Sequence, residues 1–415
     1  MNQKPLLLIG IDWADAKHDF HLIDPTGSVQ TGIFEQAPKA IAAQLQTWRA
    51  SYPGATLAVA IEASKGALIN ALLEHDDVTV YPVNPAALAY HRKSYAHGGG
   101  KNDPVDAKRL ASFLKERIED LRPLARDEPH TRELASLSEE RRRAVDARAD
   151  LANELTALLK QYFPAVLDFH AAKPYAAFLL SFLIKFPTLA LAQASGEVKL
   201  RDYFHGVGKK RQADKLAKML MAAQPLTTDP VTLRCGRRRA VMIAEQLQVL
   251  SKHIRSYEAT IAELLPQHPA YALAKALPGT AANTQARIIA AMGDDRSRYA
   301  SARSLQCATG IAPITEQSGK RKFAVARWAC TKFLRQTFHE MAGLSINQSR
   351  WAKAYYEAQK AKGKSANTAK RALAYKWQRI IFRSWQTGQP YNEDRYIERL
   401  KATGSPLYAA IQSAA

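Results

Sequence analysis

The sequence predicts an α/β domain followed by helical domains. The first 85 residues alternate strand-like and helix-like segments, and two long helical stretches with charged faces come after them. The remainder of the chain reads as helices joined by loops. At 415 residues the chain exceeds one ordinary core, so several domains are expected. We predict an α/β-plus-α architecture with domains at residues 1–125, 126–267 and 268–415.

The N-terminal domain is predicted to contain a sheet that opens with β-hairpins. An apolar run is followed by two segments that alternate as hairpin partners would, and helical and strand patterns then take turns. The predicted strands span residues 5–13, 17–23, 29–34, 56–63 and 78–84, and the predicted helices span 39–51 and 65–74.

The middle domain is predicted to form an antiparallel coiled-coil arm from two long helices, residues 128–162 and 232–265. A shorter helical segment between them carries the apolar stretch 175–186. That stretch is too short to span a bilayer and contains a lysine, so we expect a core helix and no membrane partner. Arginine runs at 141–143 and 237–239 are either solvated faces or contacts to nucleic-acid backbone.

Two C-terminal patterns bear on nucleic-acid binding. ALPGTAANTQARIIAAMGD predicts a helix-hairpin-helix that turns at Pro278 and Gly279, a unit that directs backbone N–H groups at phosphates. The alternative is an ordinary packing unit. Further on, KGKSANTAKRALAYKWQRIIFRSW predicts a basic helix with an apolar stripe facing inward. The stripe comprises Leu373, Trp377, Ile380 and Trp385, and the outward cations are Lys370, Arg371, Lys376 and Arg379.

Charge and cysteine content restrict the partner and the compartment. A formal net charge of +21 indicates a polyanionic partner, most simply nucleic acid. The three cysteines have no C-x-x-C spacing, and the first residues lack a secretory apolar segment. We therefore expect a protein of the reducing cytoplasm.

Four carboxylates in the first quarter of the chain predict a metal site. Asp12 and Glu62 end apolar strand-like runs, where a carboxylate is costly unless it is paired or binds a cation. Asp103 and Asp106 are spaced to share one face of a helix, although Asp103 alone would also suit a helix N-cap. Hard cations such as Mg²⁺ prefer this all-oxygen set. Ribonuclease H-like nucleases use the same order of elements and acids.

Four sequence blocks carry a resemblance to a known family. GIDWADAKHDF, VAIEASKGALINALLE, VYPVNPAAL and KNDPVDAKRLASF resemble the DEDD-type insertion-sequence transposases of the one-ten family, relatives of the pilin-gene invertases. The family pattern K-T-D-x-x-D-A is altered here at Asn102. The resemblance implies a RuvC-like (ribonuclease H-like) domain that binds Mg²⁺ or Mn²⁺, with Lys101 contacting nucleic acid. The implied metal ligands are Asp12, Glu62, Asp103 and Asp106.

A second stretch resembles the C-terminal part of the same family. SLQCATGIAPITEQSGKRK matches its glycine-proline loop, which ends in a Ser-Gly pair. The serine of that pair is the family's recombination nucleophile, which implies this role for Ser318. Without the resemblance, Ser318 would be read as a turn serine. Attack on phosphate needs nearby positive charge. The candidate phosphate-binding residues are Gly279, Lys320, Arg321, Lys322, Arg327, Lys332 and Arg335.

The resemblance implies a transposase or site-specific recombinase that joins double-stranded DNA at element ends and targets. It also implies a structured guide RNA that pairs with both DNAs, dimers that assemble into tetramers, and a place at the bacterial nucleoid. Two alternatives stay open at this point. One is a metal-dependent Holliday-junction endonuclease without a serine nucleophile, and the other is a non-catalytic nucleic-acid-binding protein with a degenerate nuclease fold.

Overall fold

A computed structural model describes residues 5–62, 66–85, 87–89, 103–169, 173–319, 321–327 and 330–413. It divides into two compact units, Met1–Arg126 and Asp127–Ala415. A further division of the second unit at residue 267 stays a prediction. Two predicted phosphate-binding residues, Lys101 and Lys320, lie outside the described residues.

The first unit contains a mixed five-stranded sheet in the order β3-β2-β1-β4-β5. Strands β1 to β3 pair antiparallel, whereas β1, β4 and β5 run parallel. The hairpin opening and the later alternation of strands and helices are confirmed, and this sheet is consistent with a RuvC-like domain. The strands are β1 Leu6–Trp13, β2 Lys17–Ile23, β3 Val29–Glu35, β4 Thr56–Ile61 and β5 Val78–Pro82, and the helices are α1 Pro38–Ser51, α2 Ala67–Leu72 and α3 Asp103–Arg117.

The sheet lies between helices on both faces. Strand residues two apart share a face, and Leu7, Ile9 and Ile11 are fully buried against α1 and α2 on one side. On the other side Leu110 and Leu114 of α3 pack against the small residues of β4. Both faces are therefore apolar over most of their length, and polar side chains on them stand out.

Gly10 lets α3 lie directly on the central strand. A Cβ at residue 10 would overlap the carbonyl oxygen of Ala107 and the amide nitrogen of Ala111. Backbone meets backbone at this crossing, an approach that any larger residue would prevent. Residues of α3 near Ala107 are thereby held over the face of β1 that carries Gly10 and Asp12.

Two long antiparallel helices, α4 Pro129–Tyr162 and α9 Pro230–Leu264, pack against each other in the second unit. Leu134 near the start of α4 packs with Ile261 near the end of α9. At the opposite end the Tyr162 ring lies against Gly236, where a Cβ would come within 2.8 Å of the ring. The antiparallel pairing is confirmed, while the supercoiled packing of a coiled coil stays a prediction.

Four short helices lie between the long ones, where the sequence predicted a single helical segment. They share one core with the adjoining ends of α4 and α9, centred on Phe182 and Phe204, whose rings stack at 5.7 Å. Helices this short show too few turns for a clear periodic pattern. They are α5 Ala177–Lys185, α6 Leu189–Ala194, α7 Glu197–Gly206 and α8 Ala213–Ala222.

The C-terminal part is helical apart from one hairpin. Its core contains Trp351 and Trp377, and the apolar stripe of α15 continues through Ile381, whereas the predicted Ile380 is only half-buried. No helix in the described ranges is long and apolar enough to cross a membrane. The elements are α10 Tyr271–Lys275, α11 Ala282–Met292, α12 Ala302–Ala308, β6 Ile314–Ser318, β7 Arg321–Val325, α13 Lys332–Ser345, α14 Arg350–Ala361, α15 Ala366–Thr387, α16 Glu393–Ala402 and α17 Pro406–Ser413.

Gly10→Ala should loosen the first unit, because α3 must move to admit the methyl group. The expected loss is about 1–3 kcal/mol of local stability, and hydrogen exchange of peptides covering β1 measures it. Gly206→Ala in α7 is the control, since no atom lies within 4 Å of a Cβ built there. Unchanged protection of β1 in Gly10→Ala would contradict the close approach.

Candidate active site

Asp12 and Glu62 lie side by side at the carboxyl ends of two neighbouring parallel strands. Ile11 of β1 is in register with Ile61 of β4, so each acid is the next residue along its strand. Both are half-buried. Ligands of α/β sheets commonly bind at this edge, outside the carboxyl ends of parallel strands. The sheet therefore brings two of the four predicted acids to one place.

Helix α3 supplies the other two acids. Asp106 precedes Ala107, the residue that lies against Gly10, and Asp106 is only 7% exposed. The Arg109 guanidinium donates a hydrogen bond to Asp106 at 2.8 Å, one turn along the helix. Asp103 is the first residue of α3, and its side chain lies outside the described residues. Arg109 was not among the residues predicted from the sequence, although its spacing of three residues from Asp106 is a recognisable pairing signal.

A fifth acid, Asp19, lies directly across from Asp12. The two residues are paired in the β1–β2 register, so their side chains share a face of the sheet, and Asp19 is 6% exposed. Burial, with the Lys108 ammonium adding to it, lowers the pKa of the adjacent His21, which keeps that imidazole neutral. Asp19 was not predicted from the sequence, where its only signal is the register of the β1–β2 hairpin.

The donor chemistry of this face fits a hard divalent cation, because all four predicted ligands are carboxylates. Like charges on one sheet face repel one another, and a cation relieves that repulsion. Among the side chains that the structure describes, no three acids, histidines or cysteines are close enough to hold a metal ion. The Asp103 carboxylate is not among those side chains.

Ser318 ends one strand of a two-stranded hairpin. β6 pairs antiparallel with β7, and Ser318 is in register with Arg321, so two residues form the turn. Gly319, the first of them, has φ +57°, a left-handed conformation that suits glycine. The sequence predicted a loop here, and the flanking strands are a finding of the structure. The Ser318 side chain lies outside the described residues.

The structure brings together only some of the predicted basic residues. Arg335 donates a hydrogen bond to the Arg327 carbonyl at 3.4 Å, and the Arg327 Nε donates to the Ala312 carbonyl at 3.4 Å. Arg321 is exposed on the hairpin, and Lys332 is exposed as the first residue of α13. The side chain of the sixth predicted cation of this region, at position 322, is not described.

Gly279 turns the chain between α10 and α11 with φ +75°. A Cβ there would come within 2.7 Å of the Leu344 backbone, so close packing on α13 also requires glycine. Ala286 and Ile289 are buried, as predicted for the second helix of the hairpin. Its phosphate-binding role stays a prediction.

Comparison with known families decides the identity of the chain. A transposase model for the DEDD type of IS110 matches residues 9–164, a segment that contains all four acids. A model described as transposase, IS116/IS110/IS902 family, matches residues 271–357, which contain Gly279 and Ser318. The chain belongs to the IS110/IS116 family of insertion-sequence transposases. This transposase is an enzyme that catalyses DNA strand transfer, and the DEDD family implies a divalent metal cofactor.

Curated relatives extend the similarity along nearly the whole transposase. The mini-circle putative transposase for IS117 of Streptomyces coelicolor is 27% identical over 399 residues, which cover 93% of this chain and 95% of the relative. The putative transposase y4uE of Sinorhizobium fredii is 30% identical over 167 residues, 38% of this chain and 45% of the relative. An uncharacterized 42 kDa protein of insertion element IS900 of Mycobacterium paratuberculosis is 25% identical over 328 residues, 77% and 79% of the two chains.

Arg109→Gln should lower strand transfer by about tenfold or more, the usual cost of removing a group that orients a metal-ligating carboxylate. The rate of joining on a plasmid carrying the element ends measures the effect. Arg117→Gln is the matched control, since Arg117, the last residue of α3, pairs with Asp120 at the same spacing but is exposed. Equal rates for the two variants would contradict a positioning role for Arg109.

Proposed function

We propose that this transposase excises and inserts its element by serine-nucleophile strand exchange, assisted by Mg²⁺ or Mn²⁺ and guided by a structured RNA. The observation that carries the proposal is the placement of Ser318. It adjoins the two-residue turn of a hairpin within the segment that matches the family, and Arg321 lies opposite it. A nucleophile at such a turn can approach a DNA backbone without displacing the protein core.

The metal ligands in this proposal are Asp12, Glu62, Asp103 and Asp106. The bound ion would stabilise the negative charge that develops on the scissile phosphate. The chain's own contribution is to hold the carboxylates: the parallel strands align the first two, and Arg109 fixes Asp106 at 2.8 Å.

The Ser318 hydroxyl would attack the scissile phosphorus. An Oγ–P bond forms while the bond from phosphorus to one sugar oxygen breaks; the serine proton is released, and the freed sugar oxygen takes up a proton. A hydroxyl of another cleaved strand then attacks the phosphoserine and restores Ser318. The number of phosphodiester bonds is unchanged, so no nucleotide cofactor is required.

Cations near the hairpin would stabilise the extra charge on the phosphate during attack. Arg321 is exposed beside the turn, and Lys332 begins α13 with its side chain in solvent. Arg327 and Arg335 each donate a hydrogen bond to a backbone carbonyl, which orients their guanidinium groups. Lys320 and Lys322 follow the serine directly in sequence and would add to this field.

RNA guidance, assembly and location complete the proposal. The net charge of +21 supports simultaneous binding of RNA and double-stranded DNA. Joining two element ends requires two active sites, which supports a dimer that assembles into a tetramer, and the antiparallel α4–α9 pair is a surface suited to dimer contacts. The absence of C-x-x-C spacing among three cysteines supports action in the cytoplasm, at the nucleoid.

Asp12→Asn should reduce strand transfer by about 10²-fold or more while the unfolding temperature changes little, because the acid serves the reaction rather than the fold. Excess chelator should stop the wild-type enzyme, and added Mg²⁺ or Mn²⁺ should restore it. Asp120→Asn, at an exposed acid outside the site, is the control. Normal joining in excess chelator would refute the metal site.

Ser318→Ala should abolish a covalent protein–DNA adduct, because it removes only the attacking hydroxyl. The adduct is trapped on a nicked suicide substrate and detected after denaturation. DNA binding should be unchanged. Free cleaved ends at an undiminished rate in Ser318→Ala would instead indicate a water-using Holliday-junction-type nuclease.

The proposed RNA guidance is tested in the same DNA-joining reaction. Transcripts of the DNA flanking the gene are added to or withheld from the wild-type protein, and joining should require the matching transcript. Altering a segment of that RNA complementary to the target should redirect joining to a matching DNA. Equal joining without RNA would remove guidance from the proposal and leave the serine chemistry in place.

A further inference from the structure

A basic cavity lies between helices α15 and α16, beyond the segment that either family model matches. It has a volume of about 540 Å³, within the range of about 300–1,000 Å³ typical of ligand sites. Five cations line it and no acid does. The lining cations are Lys376, Arg379, Arg383, Arg395 and Arg399.

Helical spacing places these cations along one side of each helix. Lys376, Arg379 and Arg383 recur every three or four residues on α15, and Arg395 and Arg399 are four apart on α16. The chain reverses between the two helices at Gly388, whose φ of +68° ends α15 in a left-handed conformation. Two basic helix faces are thus folded toward each other, an arrangement that like-charge repulsion opposes.

The two acids that begin α16, Glu393 and Asp394, are engaged by residues outside the cavity. Glu393 accepts hydrogen bonds from the Arg350 amide at 2.7 Å and the Ser349 hydroxyl at 3.1 Å. Asp394 forms an ion pair with the Arg350 guanidinium at 2.5 Å. In the part of the chain that the structure describes, none of the five cavity cations is in a salt bridge. Burial and the neighbouring Arg379 lower the pKa of Lys376, as expected where positive charge is not compensated.

Aromatic and amide groups form part of the remaining wall, together with aliphatic and hydroxyl side chains. Tyr396 is half-buried against the Trp351 ring at 5.0 Å, and Gln389 and Asn392 offer exposed amides at the turn. Arginines that bind phosphate oxygens beside a tyrosine that receives a base are the combination found where proteins hold single-stranded nucleic acid.

We propose that the α15–α16 cavity binds the phosphodiester backbone of a single-stranded nucleic-acid segment, with one nucleotide entering the cavity. Phosphates take the place of the missing acids, and their binding offsets the repulsion between the two helix faces. This inference does not rest on the proposed serine reaction, since no residue of the hairpin that carries Ser318 lines the cavity and binding there needs no chemistry.

The test compares two double variants of the full-length protein in chelator. Arg395→Gln with Arg399→Gln should raise the dissociation constant for a fluorescent single strand about tenfold. Each lost phosphate contact lowers the slope of log affinity against log salt by about 0.7, so the slope should fall by about 1.4. Lys215→Gln with Lys218→Gln, at exposed lysines of α8, removes the same charge and should change affinity little.

Two further double variants and a competition measurement complete the test. Arg379→Gln with Arg383→Gln should reproduce the loss from the other helix, and Arg395→Lys with Arg399→Lys should restore most of the affinity. Unlabelled DNA and RNA strands of one sequence, used as competitors, identify which nucleic acid the cavity prefers. Equal losses in cavity and α8 variants, or equal competition by duplex, would overturn the proposal. Ser318→Ala should bind as wild type does, which separates this test from that of the reaction.

Discussion

The close contact between α3 and β1 is the constraint on which the acid site depends. At Gly10 the two backbones touch, and this contact fixes which turn of α3 lies over the carboxyl ends of the parallel strands. Asp106 precedes Ala107 at that contact and is only 7% exposed. Asp12 and Asp19 are already paired across two strands there. Negative charge is thus concentrated on a chain that is otherwise strongly basic.

The positively charged residues fall into groups with different surroundings. The net charge of the chain does not distinguish these groups. The arginines at 141 and 142 in α4 are engaged within the fold. Arg141 pairs with Glu258 of α9, and Arg142 pairs with Asp146 of α4 and with Glu340 of α13. The arginines of α15 and α16 have no such partners among the described residues. Cations that are not paired with acids of the protein are available to bind a polyanion. The three-dimensional structure separates these cations from those that are already paired.

Elements with a clear hydrophobic pattern could be predicted from the sequence, whereas elements without such a pattern could not. Strands β1, β4 and β5 were predictable as short apolar runs, β2 and β3 as hairpin partners of β1, and the two long helices from their helical periodicity. Helices α5 to α8 are too short to show that repeat. The β6–β7 hairpin was hidden because its strands are polar and mostly exposed. Asp12, Glu62, Asp103 and Asp106 were predicted from motif order. The placement of Asp19 opposite Asp12 and of Arg109 beside Asp106 follows from strand register and helical spacing, which single-residue reasoning does not weigh.

The antiparallel pairing of α4 and α9 has an evolutionary consequence. The chain leaves this pair at Tyr162 and re-enters it near Pro230, at one end of the pair. The residues between them form a core with the adjoining helix ends and contribute little to the opposite end, where Leu134 meets Ile261. This point of the fold can therefore accept lengthening or shortening without altering helix register farther along the pair. Relatives of different size can differ here and keep the same recombination machinery.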